Sequence, residues 1–186
     1  MIRFYATAAV FLLIDQASKW QVRSELIPGE TVSVIGSWFM LRHVHNAGAA
    51  FGLFPGNRIA FIFVSLVSVA AVIYLVSSGR YNIRGRRVAF GMVFGGAIGN
   101  LIDRRWLGYV VDFLDVGIGA YRWPTFNVAD IGVTLGVLFL AAGFIAMEWA
   151  NRHDHGENAN PSESEAESSS GSGSESESEC QGDRSP

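Results

Sequence analysis

Ile59-Ala60-Phe61-Ile62-Phe63-Val64-Ser65-Leu66-Val67-Ser68-Val69-Ala70-Ala71-Val72-Ile73-Tyr74-Leu75-Val76 runs for eighteen residues without a charge. The hydrocarbon core of a bilayer is crossed by a helix of about 20 mostly apolar residues. Three more stretches fit the same reading. Residues 4–14 are apolar and continue into the polar Asp15-Gln16-Ala17-Ser18-Lys19-Trp20. Residues 88–102 form a Gly-rich run, and residues 128–149 are charged only near their ends, at Asp130 and Glu148. The first and third are short unless their polar ends enter the headgroup zone or line a cavity. Arg3 and the apolar run behind it also fit a signal peptide, but three spans follow and a small-residue cleavage site is missing.

Charge divides the 186 residues. Residues 151–186 hold nine acids and two bases, leaving eight acids and twelve bases in residues 1–150. The chain's net charge of −3 therefore belongs to the tail. That tail is Ser, Glu and Gly with almost no apolar content, so it cannot bury a core and is expected to be disordered. The domains expected are a membrane domain over 1–150 and an acidic tail over 151–186. One cysteine, Cys180, excludes a disulfide framework within the chain and a paired-cysteine zinc site. The basic residues of the body mark membrane orientation rather than nucleic-acid binding.

Arg80, Arg84, Arg86 and Arg87 crowd the link between the second and third spans. By the positive-inside rule that link, Arg3 and Arg152 face the cytoplasm, which puts both termini inside and segments 21–58 and 103–127 outside. Arg104, Arg105 and Arg122 run against the rule and need another job. In the first outer segment, residues 30–35 and 39–45 alternate as strands do. A small sheet over the bundle follows, with Trp38, Phe39, Phe51 and Phe54 at the lipid interface. Gly91, Gly95 and Gly99, spaced by four, and Gly132 and Gly136 are read as helix-packing contacts. The fold class expected is an all-α integral membrane protein, four transmembrane helices with a small extracytoplasmic β-sheet.

Five of the body's acids are aspartates in or beside the outer ends of the spans: Asp15, Asp103, Asp112, Asp115 and Asp130. Ionisable groups at a membrane edge are costly unless paired or facing a wet cavity, so their gathering marks a site. Each has a plainer reading beside it. Asp15 and Lys19, four apart, form either a helix-end ion pair or part of a site. Asn100 and Arg104 are either a cap with a snorkelling arginine or donors to a substrate. Asp130 follows the N-cap candidate Asn127 by three and fits a capping box. Asp115 is a solvated or supporting acid. His43 and His45 read as exposed or hydrogen-bonded rather than metal ligands, and His153 and His155 as solvated. If Asp112 and Asp130 face each other in a poorly solvated place, both cannot ionise cheaply and they share a proton. That pairing suits an aspartic protease acting on water, with no metal or covalent nucleophile. No His-Glu-x-x-His or Gly-x-Ser-x-Gly motif supports another protease chemistry. Two other readings remain: a proton-coupled carrier using the aspartates as a relay, and a scaffold acting through its tail.

The segments Asp15-Gln16-Ala17-Ser18-Lys19, His45-Asn46-Ala47-Gly48-Ala49-Ala50-Phe51-Gly52, Gly95-Gly96-Ala97-Ile98-Gly99-Asn100-Leu101-Ile102-Asp103-Arg104, Val111-Asp112-Phe113 and Phe126-Asn127-Val128-Ala129-Asp130 resemble, in order and spacing, the motifs of lipoprotein signal peptidase (signal peptidase II). This is a family of bacterial inner-membrane aspartic proteases. The resemblance implies four transmembrane helices with both termini cytoplasmic and the site at the outer face. It also implies cleavage of prolipoproteins just before a diacylglyceryl-modified cysteine. By matching position it makes Asp112 and Asp130 catalytic. Asp15, Asn46, Asn100, Arg104 and Asn127 become substrate-binding residues, with Lys19, Gly48 and Asp103 in support. It implies no cofactor, prolipoproteins and membrane lipids as partners, globomycin-type inhibitors, no nucleic acid, and a monomer. Ile131 departs from the family, where a small residue commonly follows the second aspartate, and the acidic tail has no family counterpart.

Overall fold

The computed structural model describes residues 1–48, 58–78 and 84–157. Helix α1 spans Ile2–Glu25, strands β1 and β2 span Thr31–Ile35 and Phe39–Asn46, and helices α2 and α3 span Arg58–Ser77 and Arg84–Trp106. Strands β3 (Val110–Ile118) and β4 (Tyr121–Arg122) then lead to α4, Val128–Glu157. Two compact units result, Met1–Phe144 and Ile145–Pro186. Phe51, Phe54, Arg80, Cys180 and the tail beyond Glu157 lie outside the described residues, as do the side chains of His153 and His155.

Among the described residues, α2 and α4 contain the two segments long and apolar enough to cross a membrane, Ile59–Ser77 and Val128–Trp149. Both leave large apolar side chains exposed, among them Phe63 at 65% and Leu138 at 58%. Water would not tolerate so much contiguous apolar surface, so these faces are suited to lipid. Helices α1 and α3 fall short in apolarity, not in length. At ~1.5 Å per residue they extend about 36 and 35 Å. Their polar residues Asp15, Lys19, Asn100 and Asp103 are all buried and turned toward protein. Most of α3 from Arg86 to Asn100 is buried, so its side chains meet neighbouring helices and have no need of a lipid-like surface.

Glycines permit that crowding. A Cβ on Gly91 or Gly95 would strike the carbonyls of Phe4 or Ala8 on α1. On Gly96 it would strike the carbonyl of Ala129, and on Gly136 the carbonyl of Ala89 and the side chain of Val93. The four-residue spacing thus serves backbone contact between helices. Phe4, Val72, Phe90 and Val93 fill one core cluster, and Val22, Val111 and Phe113 fill a second under the sheet.

The sheet has the order β1-β2-β3-β4, antiparallel throughout. The hairpin β1–β2 falls where the alternation predicts it. Strand β3 has no counterpart in that reading. Residues 110–113 are buried on both faces, so the run lacks the polar alternation that announces a strand. Pairing β3 with β2 sets Val44 opposite Asp112 and Asn46 opposite Val110. Arg122, one of the arginines that run against the expected orientation, has a structural job. It donates to Asp115 Oδ1 at 2.7 Å and to the Ser37 carbonyl at 2.7 Å, clamping the sheet. Asp115 is accordingly buried rather than solvated. A second difference lies at the C-terminal end. Helix α4 continues to Glu157, seven residues past the boundary drawn at 150/151. Residues 151–155 contain no Pro or Gly to stop it, and Arg152 reaches back to Glu148 at 3.6 Å, an exposed i,i+4 pair.

Gly96→Val is expected to push the first turn of α4 away from α3 and destabilise the protein by about 2 kcal/mol or more. Gly85→Ala, where nothing lies within 4 Å of the added carbon, should be neutral or slightly stabilising. Thermal unfolding of the two variants in detergent checks the contrast.

Candidate active site

Three main-chain hydrogen bonds bring the aspartates together. Phe113 N and Leu114 N donate to the Phe126 carbonyl at 3.0 and 2.8 Å, and Phe126 N returns a bond to Leu114 O at 3.1 Å. This short bridge lays the entry to α4 alongside β3. Asn127 then becomes the N-cap of α4. Asp130 N donates to Asn127 Oδ1 at 3.0 Å, and Asn127 N donates to Asp130 Oδ2 at 3.3 Å. That reciprocal pair is the capping box expected from the spacing. Capping and site-building coexist, because the free end of the Asn127 amide points the other way. Its Nδ2 donates to Asp112 Oδ1 at 2.6 Å and to Asn100 Oδ1 at 3.3 Å.

Asn46 Nδ2 donates to Asp112 Oδ2 at 2.8 Å, while its own Oδ1 accepts Gly48 N at 3.0 Å. Asn100 Nδ2 donates to Asp130 Oδ1 at 2.9 Å. Each oxygen of both carboxylates therefore receives an N–H donor. Asp112 is 2% exposed, whereas Asp130 is half-buried. Burial pushes the Asp112 carboxyl up to about 6, and the charge of Asp130 pushes the same way. The amides of Asn46 and Asn127 and the ammonium of Lys19 pull against this shift.

Both carboxylates border a cavity of about 680 Å³, with Asn46, Gly48, Asn100 and Arg104 also in its wall. It extends between α2 and α4 as far as Ser68 and Val137. That volume accommodates a peptide segment of several residues. Arg104 lies at its edge, Nη1 3.4 Å from Ser65 Oγ, with the guanidinium 5.5 Å from the Phe61 ring centre. Such a wall offers amide and guanidinium donors to an extended backbone and an apolar trench to side chains or lipid.

Four of the sequence-predicted residues stand behind this wall. Asp15, expected to bind substrate, is fully buried and absent from the cavity lining. It pairs with Lys19 at 2.9 Å and accepts Ala129 N at 2.9 Å, and its Oδ2 sits where a Cβ on Gly99 would be. Asn127 is likewise fully buried and reaches the site through the two carboxylates. Lys19 and Asp103 pair at 3.1 Å. Gln16 completes the group, donating to Asp15 Oδ2, the Gly99 carbonyl and Asp103 Oδ1 at 3.1–3.3 Å. His43 is buried and hydrogen-bonded to the Leu26 carbonyl, and His45 is exposed and stacked on Tyr109.

Sequence reasoning missed Ser65 and Ser68 on α2, and Trp123 and Thr134. The serines had a signal, being polar residues three apart in an otherwise apolar span. Trp123 had none.

A family model described as signal peptidase II matches residues 7–146. The lipoprotein signal peptidase of Moorella thermoacetica is 44% identical over 140 residues, 74% of this chain and 89% of that protein. That of Geobacter metallireducens is 39% identical over 155 residues, 82% of this chain and 96% of its own length. A bacterial membrane enzyme structure obtained by the in meso method at 2.3 Å resolution superposes with a TM-score of 0.71 at 28% identity, covering 86% of this chain and 92% of that one. A second, at 1.9 Å resolution, gives 0.67 at 30% identity, over 76% of this chain and 91% of that one. The matched range runs from α1 into α4 and contains the whole of the buried network, and on these grounds the chain belongs to the signal peptidase II family, the lipoprotein signal peptidases of bacterial membranes.

Proposed function

We propose that this chain is an aspartic endopeptidase that cuts the signal peptide from diacylglyceryl-modified prolipoproteins immediately before the lipidated cysteine. The observation that carries the reading is the Asn127 side chain, which bonds one aspartate through Nδ2 and caps the turn bearing the other through Oδ1. It leaves the two carboxylates facing one cavity with a shared electrostatic environment.

In this reading the pair works with one proton. Asp112, the more deeply buried member, carries it. Asp130 accepts a proton from a water molecule held between the carboxyls, and the water oxygen attacks the scissile carbonyl. Asp112 donates its proton to the carbonyl oxygen as charge develops there. Collapse of the tetrahedral intermediate breaks the C–N bond. The proton on Asp130 passes to the leaving amine of the lipidated cysteine, and Asp112 recovers its own. Asn100 and Arg104 would satisfy the polar groups of the extended substrate, which a dry site would otherwise leave unpaired. The catalytic assignment of Asp112 and Asp130 and the binding roles of Asn46, Asn100 and Arg104 belong to this proposal. Asp15, Asn127, Lys19 and Asp103 act from behind, and Gly48 shapes the wall.

The proposal includes four membrane spans. Helices α1 and α3 are long enough, α1 exposes Tyr5 and Leu13 as a lipid-facing helix would, and α3 is screened by its neighbours. Both termini are then cytoplasmic, and the scissile bond lies at the outer surface of the inner membrane, where a diacylglyceryl anchor would hold it. The segment from 151 onward is an acidic cytoplasmic appendage to a monomeric peptidase. A carrier would need acids near mid-membrane, whereas these gather at one end of the bundle.

Asp112→Asn and Asp130→Asn should each lower kcat by about 10²–10⁴-fold or more, measured on a diacylglyceryl-modified prolipoprotein in detergent or liposomes. Normal cleavage by either variant would remove the dyad. Globomycin should block the wild-type reaction, and removal of residues 158–186 should leave kcat/KM unchanged.

The pH dependence has a definite sign. Activity needs the Asp112 proton, so kcat should fall as pH rises through about 6. Stability follows the same direction. The folded carboxyl keeps its proton to about 6 and the unfolded one releases it near 3.8. The contribution of Asp112 to stability is complete below the lower value and declines as pH rises between the two. Asp112→Asn should flatten that part of the stability curve, read from thermal midpoints across the interval.

A further inference from the structure

Thirteen arginines and a single lysine supply the basic side chains of this chain. That lysine, Lys19, is 1% exposed and does not border the cavity. Its ammonium has three donors and meets three oxygens: Asp15 Oδ2 at 2.9 Å, Asn100 Oδ1 at 2.9 Å and Asp103 Oδ2 at 3.1 Å. A compact tripod suits this arrangement, and a planar guanidinium does not.

The three contacts lead to the two aspartates. Asp15 Oδ1 accepts Ala129 N at 2.9 Å, the residue immediately before Asp130. Asp103 Oδ2 accepts Val111 N at 3.1 Å, the residue immediately before Asp112. The third contact decides an amide orientation. An ammonium can only donate, so the Asn100 atom facing it is the oxygen, and Nδ2 is thereby aimed at Asp130 Oδ1, 2.9 Å away.

Resting on the aspartate reading above, we propose that Lys19 is a positioning residue of the reaction. Through Asp15, Asp103 and Asn100 it sets the spacing and orientation of the two carboxylates without touching substrate. Its charge also reaches Asp112 directly. The charged groups around the pair are Asp15 and Lys19 from α1, Asp103 and Arg104 from α3, Asp112 from β3 and Asp130 from α4. The described part of α2 brings only Ser65 and Ser68 to the cavity as polar side chains.

A single lysine makes a direct test possible. In full-length protein labelled with [15N]lysine, one side-chain ammonium resonance reports Lys19. It should shift with pH along the same midpoint as the decline of kcat, and in Asp112→Asn that movement should vanish. A resonance that stays fixed across this interval in the wild type overturns the proposal. Lys19→Gln should lower kcat about 10²-fold with KM little changed, and move the decline in kcat to higher pH, since the lost cation no longer favours the Asp112 carboxylate. The double variant Lys19→Gln, Asp103→Asn keeps the net charge of the cluster and guards against loss of folding. A folded variant with wild-type kcat and pH profile overturns the proposal. If neither variant folds, the wild-type titration decides alone. These results separate from failure of the dyad, which would appear as activity in Asp112→Asn or Asp130→Asn.

Discussion

One ammonium group, Lys19 Nζ, holds oxygens from Asp15, Asn100 and Asp103 within 3.1 Å and has no access to water. Moving charges out of water costs several kcal/mol per ion even after relaxation. The arrangement survives because each group is satisfied more than once. Asp15 also accepts from Gln16 and Ala129, and Asp103 from Gln16 and Val111. Such a cluster specifies a structure more than it stabilises one. An apolar replacement of similar volume could pack as well, but it would not require α1, α3, β3 and the start of α4 to meet in one register.

The glycines of α3 are the steric counterpart of this electrostatic demand. Gly99 leaves the space that the Asp15 carboxylate occupies, and Gly96 lets the carbonyl of Ala129 approach α3. In lipid the usual hydrophobic drive between helices is absent, and close backbone approach takes its place. The helix that carries these glycines is also the least exposed. An unremarkable hydropathy and a central position therefore have one cause.

Two like groups of the candidate site sit in different environments. Asp112 lies on a buried strand and Asp130 in the first turn of a helix at the cavity edge. Burial raises the proton affinity of the first, while the turn of α4 and Asn100 supply donors to the second. Amides from Asn46, Asn100 and Asn127 hold all four oxygens, which fixes both carboxylates in place. The cavity they border runs from them between α2 and α4.

Much of this could be read along the chain. Apolar block lengths place four helices, and alternation over residues 30–35 and 39–45 marks the first hairpin. The acids clustered at one end mark a site, and the motif resemblance supplies its family. Other features depend on contacts between segments distant in sequence. Strand β3 stays hidden because a strand buried on both faces lacks polar alternation. The extension of α4 to Glu157 stays hidden because a polar composition does not distinguish a solvated helix from a coil. Asp15 and Lys19 look like a local i,i+4 pair, and only the tertiary structure shows that they hold Ala129 and Asn100. The sequence by itself determined which polar residues exist and which segments can enter a membrane, since both depend on local composition. Which of those residues border the cavity and which stand behind it was decided by the tertiary structure, because burial and hydrogen-bond partners are set by chain segments brought together in space.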